Sequence, residues 1–371
     1  MIVVPDALKT LLREVVSIPT APYMEGEVRS YLREFAEEHS LDHAEDIYGN
    51  VYITYRRGRR KRPLVLGAHM DHPGFVVEEV QGRRLTLEFR GGISSEYGKG
   101  EKVALYREGE RAPYARARIS SIQQDERGRL TAATATLEGP TGRVAVNDLA
   151  LWDVSICRIR GDLLQARACD DLAGAAAILA TLERVASARR NGHLIGLFTR
   201  AEEVGLRGAL VVGKERLLPE DALVVAVETS SFSNRRALQG GGPIVRVGDA
   251  AHVFSPGMTQ WMTMLAQELA KEQREGFPYQ RRLMDGGVTE ATAYDLYGYE
   301  TGAACIALGN YHNAGPHGRV RAENVHLRDL EGLVRLFERM HEKVPLFERS
   351  LPSLLKRYDQ LGREAAPILK A

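Results

Sequence analysis

The sequence predicts an α/β protein whose mostly parallel sheet is sandwiched by helices, with an inserted all-β domain. From about residue 170 onward, apolar strand-like runs alternate with amphipathic segments, the pattern of a parallel sheet covered on both faces. Residues 76–165 instead hold short alternating segments separated by Gly, Asp and Asn turns, without a long amphipathic helix, as all-β modules do. A length of 371 residues also exceeds one ordinary core and suggests about two domains.

The N-terminal part is predicted to be helical and then β-rich. Residues 5–39 carry two apolar stripes at helical spacing, broken by the Pro-containing stretch Ser17–Pro22. Residues 51–55 and 63–69 are predicted to be short strands. The basic run Arg56–Arg62 is predicted to be a solvated hairpin loop, because it lies between these two apolar segments. A nucleic-acid role for it is the less favoured alternative, since it lacks interleaved aromatics and a wider basic face.

The second half supplies the alternating elements of the predicted sheet. The predicted helices span residues 171–188, 209–217, 258–272 and 323–343, and the predicted strands span 193–199, 222–227 and 303–308. We therefore expect a discontinuous catalytic domain of residues 1–75 and 166–345. Residues 76–165 form the predicted inserted domain, with a role in assembly or as a lid, and residues 346–371 form a C-terminal helical extension.

Composition excludes several classes of partner. Lys and Arg total 50 against 49 Asp and Glu. The chain therefore lacks the excess positive charge expected of a protein that binds nucleic acid or an anionic membrane. No segment approaches the roughly 18 consecutive apolar residues of a membrane span, and the N-terminus lacks a signal pattern. Three cysteines, Cys157, Cys169 and Cys305, give no disulfide framework and fit a reducing compartment. We expect a cytoplasmic protein.

Histidines and carboxylates follow four predicted strands at the point where each ends, and an acidic pair begins a helix. These residues are His69 and Asp71, Glu202 and Glu203, Glu228, His312, and the pair Asp170–Asp171. Ligands of open α/β sheets bind beyond the carboxyl ends of the strands. Carboxylates gathered there would repel one another, and two divalent cations sharing one carboxylate would relieve the repulsion. Imidazole and carboxylate ligands without thiolate suit Zn²⁺, with Co²⁺ and Mn²⁺ as alternatives.

Each piece of this pattern also has an ordinary structural interpretation. A lone His-x-Asp is usually structural, an acidic pair is more often a solvated loop, and Asp170–Asp171 alone could be a helix cap. Their joint occurrence after four predicted strands and before one helix favours a metal site. The spacing of His69 and Asp71 lets the aspartate hold the far ring nitrogen of the histidine. In Glu202–Glu203 the side chains diverge, so one can bind metal while the other serves as general base.

Four motifs resemble those of the family-42 metallopeptidases, the TET-type aminopeptidases with their glutamyl- and deblocking-aminopeptidase relatives. The motifs are Leu66-Gly-Ala-His-Met-Asp-His-Pro-Gly-Phe, Ala168-Cys-Asp-Asp-Leu-Ala-Gly, Ala201-Glu-Glu-Val-Gly-Leu-Arg-Gly-Ala and Gly286-Gly-Val-Thr-Glu-Ala. The resemblance extends from the first helix to about residue 343. A β-rich segment between Asp71 and Asp170 also separates family 42 from families 28 and 20.

The resemblance implies a dinuclear zinc-peptidase fold and a role for each site residue. The implied roles are His69 and Glu228 on the first metal, Asp71 orienting His69, Asp170 bridging, Glu202 as general base, and Glu203 and His312 on the second metal. It also implies peptide substrates and a homo-oligomer, a dimer or a hollow dodecamer assembled with help from the β-rich segment.

The sequence departs from the family pattern at several positions. The departures are His72-Pro73 for Glu-Ile, Leu172 for Arg, Glu228 and Glu290 for Asp, and Asn310-Tyr-His-Asn for Arg-Tyr-x-His-Ser. They leave the metal chemistry in place and leave the substrate preference open. Three further histidines near the motifs, His72, His252 and His317, are candidates for the substrate pocket, although each is more often a surface or capping residue.

The predicted reaction is removal of N-terminal residues from peptides by a water activated by two metals. An N-acyl amino acid deacylase on the same scaffold remains open. A glycosidase would need two carboxyls flanking one bond and gives the histidines no place. A non-catalytic binding protein would be expected to have lost ligands, whereas all five ligands and the base are present.

Overall fold

The computed structural model describes residues 3–59, 62–139, 144–231, 237–272 and 277–369. Within these ranges the chain forms an eleven-stranded sheet with helices on it and a closed six-stranded barrel. The strands of the sheet are β1 (Asp42–Glu45), β2 (Val51–Arg57), β3 (Leu64–His69), β10 (Cys157–Arg160), β11 (Leu163–Ala166), β12 (Gly192–Thr199), β13 (Leu223–Ser231), β14 (Ile244–Arg246), β15 (Gln280–Arg282), β16 (Glu300–Gly309) and β17 (Glu323–His326).

The sheet is mixed, so the expectation of a mostly parallel sheet is wrong for its outer strands. The order is β1-β2-β12-β3-β13-β16-β17-β11-β10, with β14 and β15 off this path. Strands β12, β3, β13 and β16 are parallel to one another, and they are buried along nearly their whole length. The outer pairs β1–β2 and β10–β11 are hairpins, whose short connections permit only antiparallel pairing.

Helices cover both faces of the sheet. They are α1 (Asp6–Val16), α2 (Gly26–Glu38), α3 (Leu172–Ser187), α4 (Arg207–Lys214), α5 (Pro256–Glu272), α6 (Glu290–Leu296), α7 (Leu327–Lys343) and α8 (Ser350–Leu369). Helices α1, α3 and α7 share one apolar core with the central strands. Helices α4 and α6 pack into a second core on the opposite face. None of the described helices is both long and apolar enough to cross a membrane.

Two local predictions are wrong. The segment predicted as one helix over 323–343 begins as the strand β17, and α7 starts only at Leu327. Alternate residues of β17 are buried because the strand pairs with β11 and β16. The basic run Arg56–Arg62 is not a hairpin loop, since β12 lies between β2 and β3; its residues 60 and 61 lie outside the described ranges.

The second unit is the closed barrel, with strand order β4-β5-β8-β7-β6-β9. Its strands are β4 (Gly74–Gln81), β5 (Arg84–Arg90), β6 (Lys102–Tyr106), β7 (Ala115–Gln124), β8 (Leu130–Glu138) and β9 (Leu149–Trp152). Phe75 packs edge-on against Phe89 and Trp152, with ring centroids 4.8 Å apart in both pairs. The predicted segment 76–165 therefore extends too far, because β10 and β11 pair into the main sheet through β17.

A candidate two-metal centre

The five predicted ligands converge at the carboxyl ends of the central strands. His69 is the last residue of β3, and Asp170 lies two residues before α3. Glu228 lies within β13, which continues to Ser231 and does not end at residue 227 as predicted. Three overlapping sets bring candidate ligand atoms within 4.8 Å of one another: His69 with Glu202 and Glu203, His69 with Asp170 and Glu228, and Asp170 with Glu203 and His312. The structure thus gathers into one place side chains that are far apart in the sequence.

Asp170 lies between the two histidines. Its Oδ1 is 3.4 Å from Nε2 of His69, and its Oδ2 is 3.7 Å from Nε2 of His312. A glutamate also lies near Nε2 of each histidine. Nε2 of His69 lies 4.0 Å from Oε2 of Glu202, and Nε2 of His312 lies 3.0 Å from Oε1 of Glu203. One carboxylate therefore faces two imidazoles, the arrangement of a ligand shared by two cations.

Four polar atoms of this cluster are buried and make no hydrogen bond within the described structure. They are Nε2 of His69, Oδ1 of Asp170, Oε1 of Glu203 and Oε1 of Glu228. Orphaned buried polar atoms normally cost about 1–3 kcal/mol each. Imidazole and carboxylate atoms that lie within 4.8 Å of one another are the donors that divalent cations accept, so the residues present fit two such cations.

Burial and charge shift the pKa values of these groups strongly. Burial raises the pKa of Glu228 to about 8 and raises that of Glu202 well above its usual value. Burial lowers the pKa of His312, but Glu203, Asp170 and the Gly92 backbone together outweigh it and raise the pKa to about 9. Burial likewise opposes protonation of His69, but the Asp170 and Asp71 carboxylates raise its pKa well above the usual value. Without a cation, these four groups therefore hold their protons to a higher pH than they would in water.

Asp71 acts differently from the prediction. Its backbone carbonyl, not its carboxylate, lies at hydrogen-bond distance from Nδ1 of His69, at 3.0 Å, while Oδ1 is 3.7 Å away. The carboxylate instead accepts the backbone N–H groups of Glu202, at 2.9 Å, and Glu203, at 3.0 Å. Asp71 therefore fixes the loop that carries both glutamates.

Glu323 was not found by sequence reasoning. Its Oε2 accepts the backbone N–H of Cys169 at 2.7 Å and of Asp170 at 3.0 Å. Its Oε1 accepts the backbone N–H of His312 at 2.8 Å. Burial raises the pKa of this carboxyl to about 7. No local pattern marks Glu323, since only the pairing of β17 with the sheet brings it beneath Asp170 and His312.

The three additional histidines do not line the pocket. Nδ1 of His72 donates to the carbonyl of Asp170 at 2.7 Å, and its Nε2 lies 3.1 Å from Oδ1 of Asn313. His252 contacts Asp295, and His317 is exposed. The pocket itself has a volume of about 460 Å³ and is lined, beyond the predicted site residues, by Thr229, Ser230, Ser231, Arg246, Met284, Asp285, Gly286, Gly287, Val288, Thr289 and Tyr311.

Glu290, one of the departures from the family pattern, lies behind the cluster. Its Oε1 accepts a hydrogen bond from the hydroxyl of Thr199 at 2.5 Å, and Oε2 accepts from Tyr294 at 3.4 Å. Burial raises its pKa to about 7. The longer side chain is therefore accommodated by two hydroxyl partners and does not project into the pocket.

Sequence comparison relates the chain to glutamyl aminopeptidases. Residues 133–336 match the sequence model of the M42 glutamyl aminopeptidase family. A glutamyl aminopeptidase of Lactococcus lactis subsp. cremoris (strain MG1363) is 26% identical over 279 residues, which cover 68% of this chain and 76% of that protein.

Solved structures resemble the chain over most of its length. A TET aminopeptidase from the marine sediment archaeon Thaumarchaeota archaeon SCGC AB-539-E09 superposes with a TM-score of 0.76 at 21% identity, covering 92% of this chain and all of that one. The Pyrococcus horikoshii TET1 peptidase, described as assembling into a tetrahedron or a large octahedral shell, gives a TM-score of 0.72 at 21% identity, covering 90% of this chain and 99% of that one. At these identities the likeness concerns the fold.

The mixed sheet and the cluster at its strand ends define a hydrolase of the metallopeptidase class. Since the family match extends over more than half of the 371 residues, the chain belongs to the M42 glutamyl aminopeptidase family. It is accordingly a metal-dependent hydrolase of peptides.

Proposed function

We propose that this protein removes residues from the N-terminus of peptides with two divalent cations held by His69, Asp170, Glu203, Glu228 and His312. The observation that carries the proposal is the position of Asp170, whose two carboxylate oxygens face His69 and His312 at 3.4 and 3.7 Å. His69 and Glu228 would complete one site, and Glu203 and His312 the other.

Bound at this cluster, divalent cations would supply Lewis-acid chemistry, lowering the pKa of water and polarising a peptide carbonyl. The chain's own contribution to proton transfer is Glu202. Its carboxylate lies 4.0 Å from Nε2 of His69, and its side chain keeps 13% of its surface exposed toward the pocket. Because burial raises its pKa, Glu202 can accept a proton from water and return it to the leaving amine.

The loop geometry keeps Glu202 and Glu203 in separate roles. Both backbone N–H groups donate to Asp71, so the two side chains leave the loop from a fixed base. Oε1 of Glu203 then lies beside His312, while Glu202 lies on the His69 side. This division supports a ligand role for Glu203 and a proton-transfer role for Glu202.

Zn²⁺ is the proposed metal, with Co²⁺ and Mn²⁺ as alternatives. The donors are imidazole nitrogens and carboxylate oxygens, a set that these cations accept. Cys169, next to Asp170, is buried, and burial raises the pKa of its thiol well above the usual value. A thiol held in that form suits a small core residue rather than a metal ligand.

The substrate is proposed to be the free N-terminus of a peptide. A pocket of about 460 Å³ is of the size that holds a small ligand, which suits a chain end. The pocket walls include the hydroxyl-bearing residues Thr229 and Ser230 and the buried guanidinium of Arg246. N-acyl amino acids would fit the same chemistry, so acyl-amide hydrolysis is the competing activity.

We further propose that the barrel formed by strands β4 to β9 is an inserted module that supports assembly into a dimer or dodecamer or covers the site. A relative of the same fold assembles into a tetrahedron or an octahedral shell. We propose a cytoplasmic location, because the three cysteines are all free and therefore fit a reducing compartment.

The decisive experiment is a panel of fluorogenic amino-acid amides, each supplied with a free or an acetylated amine. The enzyme is stripped with a chelator, dialysed, and assayed with Zn²⁺, Co²⁺ or Mn²⁺. The proposal expects no turnover without metal, restored turnover with metal, and a strong preference for free amines. Appearance of acetate and a free amine from the acetylated substrates, with the fluorophore still attached, would establish the deacylase instead. Full activity in excess chelator would overturn the metal-dependent mechanism.

A further inference from the structure

The barrel contributes one atom to the candidate metal centre. Nδ1 of His312 lies 2.6 Å from the backbone oxygen of Gly92, in the connection between β5 and β6. His312 itself belongs to the turn after β16 in the main sheet unit. A backbone group of one unit thus contacts the side chain of a proposed metal ligand in the other.

The chemistry of this contact dictates the form of the imidazole. A carbonyl oxygen only accepts, so Nδ1 of His312 carries the hydrogen and donates it to Gly92. In the neutral ring the lone pair then resides on Nε2, the atom that faces Glu203 at 3.0 Å and Asp170 at 3.7 Å. The carbonyl of Gly92 therefore directs the ligating nitrogen toward the cluster.

Three features hold the Gly92 carbonyl in place. Gly91 adopts φ +133°, and a Cβ added there would lie 2.7 Å from Cβ and 3.0 Å from Cα of Pro73. Ile93 is buried in the barrel core. The backbone oxygen of Ile93 accepts the N–H of Leu130 at 3.0 Å. The connection is thus pressed against the catalytic unit on one side and anchored in the barrel on the other.

The backbone of His312 is held independently of its ring. Its N–H donates to Glu323 at 2.8 Å, and its φ of 54° lies in the left-handed region, which costs a non-glycine residue free energy. The backbone is fixed from the sheet side, whereas the ring orientation is fixed from the barrel side. Either anchor can therefore be disturbed separately.

We infer that Gly92 is a positioning residue of the metal centre, so that the barrel is needed to form the cation site of His312. This inference rests on the proposed function, in which His312 is a metal ligand. It gives the barrel a role at the site that is separate from assembly.

Two glycines of the barrel unit offer a matched pair of variants. Gly91→Ala places a methyl group against Pro73 at a backbone angle that L residues rarely adopt, so the connection and the Gly92 carbonyl must shift. Gly109→Ala, in the connection between β6 and β7, adds the same methyl group at a φ of +82° where nothing lies within 4 Å. Both variants impose a positive φ on an alanine, but only Gly91→Ala acts on the connection that carries the Gly92 carbonyl.

The measurement is a Co²⁺ titration of chelator-stripped full-length protein, followed by visible absorption and by metal analysis after equilibrium dialysis. For Gly91→Ala we expect two sites, of which one is weakened by about 10–100-fold, the usual effect of losing a partner of a histidine ligand. Turnover should recover as the Co²⁺ concentration is raised. Gly109→Ala should match the wild type in both metal sites.

Three results would contradict either the positioning role of Gly92 or the proposed function. Wild-type affinity at both sites in folded Gly91→Ala protein would overturn the inference, as would equal weakening in Gly109→Ala. If Gly91→Ala lacks a cooperative thermal transition, Ile93→Ala, which loosens the barrel anchor of the same connection, replaces it with the same expected loss at one site and the same refuting result. Absence of Co²⁺ binding in the wild type would instead refute the proposed function.

Discussion

Oδ2 of Asp170 lies 3.7 Å from Nε2 of His312, although the two residues are far apart in the sequence. Oδ1 of the same aspartate faces His69 at 3.4 Å. The closeness arises because the parallel strands β3, β13 and β16 end at one edge of the sheet, and because Glu323 binds the backbone N–H groups of both Asp170 and His312. The centre is therefore built by strand order and one buried carboxylate.

Replacing Glu202 should separate proton transfer from metal binding. Glu202→Gln keeps the shape of the side chain but cannot accept a proton, so kcat should fall by about 10²–10⁴-fold while two equivalents of metal remain bound. Glu203→Gln is the matched control, since its Oε1 faces His312 and its loss should remove metal. Steady-state kinetics and metal analysis of both variants test this assignment. Near-normal turnover of Glu202→Gln would contradict the proton-transfer role of Glu202.

Asp71→Asn should loosen the Glu202–Glu203 loop. An amide has one acceptor oxygen, so one of the two backbone N–H groups bound by Asp71 would face an NH₂ group. We expect metal affinity or kcat to fall by about 10–100-fold, as for other partners of metal ligands. Asp329→Asn is the control, because each carboxylate oxygen of Asp329 also accepts one backbone N–H group but the residue lies away from the site. Equal, small effects of both changes would show that Asp71 has no special role.

Glu323→Gln should weaken both cation sites together. One carboxylate oxygen accepts the backbone N–H groups of Cys169 and Asp170, and the other accepts the backbone N–H of His312. The single oxygen of an amide can replace only one of these two acceptors. The expected loss of metal affinity is about 10–100-fold. Asp329→Asn provides the comparison, since Asp329 is a buried carboxylate that accepts Gly240 and Gly242 away from the site. Isothermal titration with Zn²⁺ measures both, and unchanged affinity in Glu323→Gln refutes the prediction.

The stability of the metal-free protein should fall as pH rises. Burial raises the pKa of Glu228 to about 8 and that of Glu323 to about 7, above the roughly 4.3 of an unfolded glutamate. His312 has a raised pKa of about 9, above the roughly 6.5 of an unfolded histidine. At a pH between the unfolded-state and folded-state pKa values of each group, the folded state holds more protons than the unfolded state. The free energy of unfolding therefore declines as the pH rises.

Bound cations should reverse this trend, because they replace the retained protons. The difference in Tm between metal-loaded and chelated protein should therefore widen from pH 5 to pH 9, a window set by the raised pKa values of Glu228 and His312. Differential scanning calorimetry across this range tests it. A chelated Tm that rises steadily with pH would show that these groups do not hold their protons in the folded state.

Gly174 should be intolerant of a methyl group. A Cβ at this position in α3 would lie 2.3 Å from Oδ2 of Asp171, a buried carboxylate whose two oxygens lack hydrogen-bond partners. Gly174→Ala should lower the free energy of unfolding by about 1–3 kcal/mol through overpacking. Gly26→Ala, at the first position of α2 with nothing within 4 Å, should be neutral or stabilising by up to about 1 kcal/mol. Urea unfolding of both variants provides the comparison.

The sequence by itself determined the residue types of the site and the elements that carry them. Helix α3 follows from its hydrophobic period, and strands β3, β12 and β16 follow from short continuous apolar runs, because burial on one or both faces leaves a local pattern. Strand β17 was mistaken for part of a helix, since its four residues carry no decisive period and gain their form from pairing with β11 and β16.

Tertiary structure alone decided which groups support the ligands. The carboxylate of Asp71 binds the Glu202–Glu203 loop, Glu323 joins two segments, and a carbonyl of the barrel meets His312. Hydrogen bonds of this kind join residues distant in sequence and depend on backbone position rather than on residue period. For that reason the metal ligands of this chain can be predicted from its sequence motifs, whereas the residues that orient those ligands cannot.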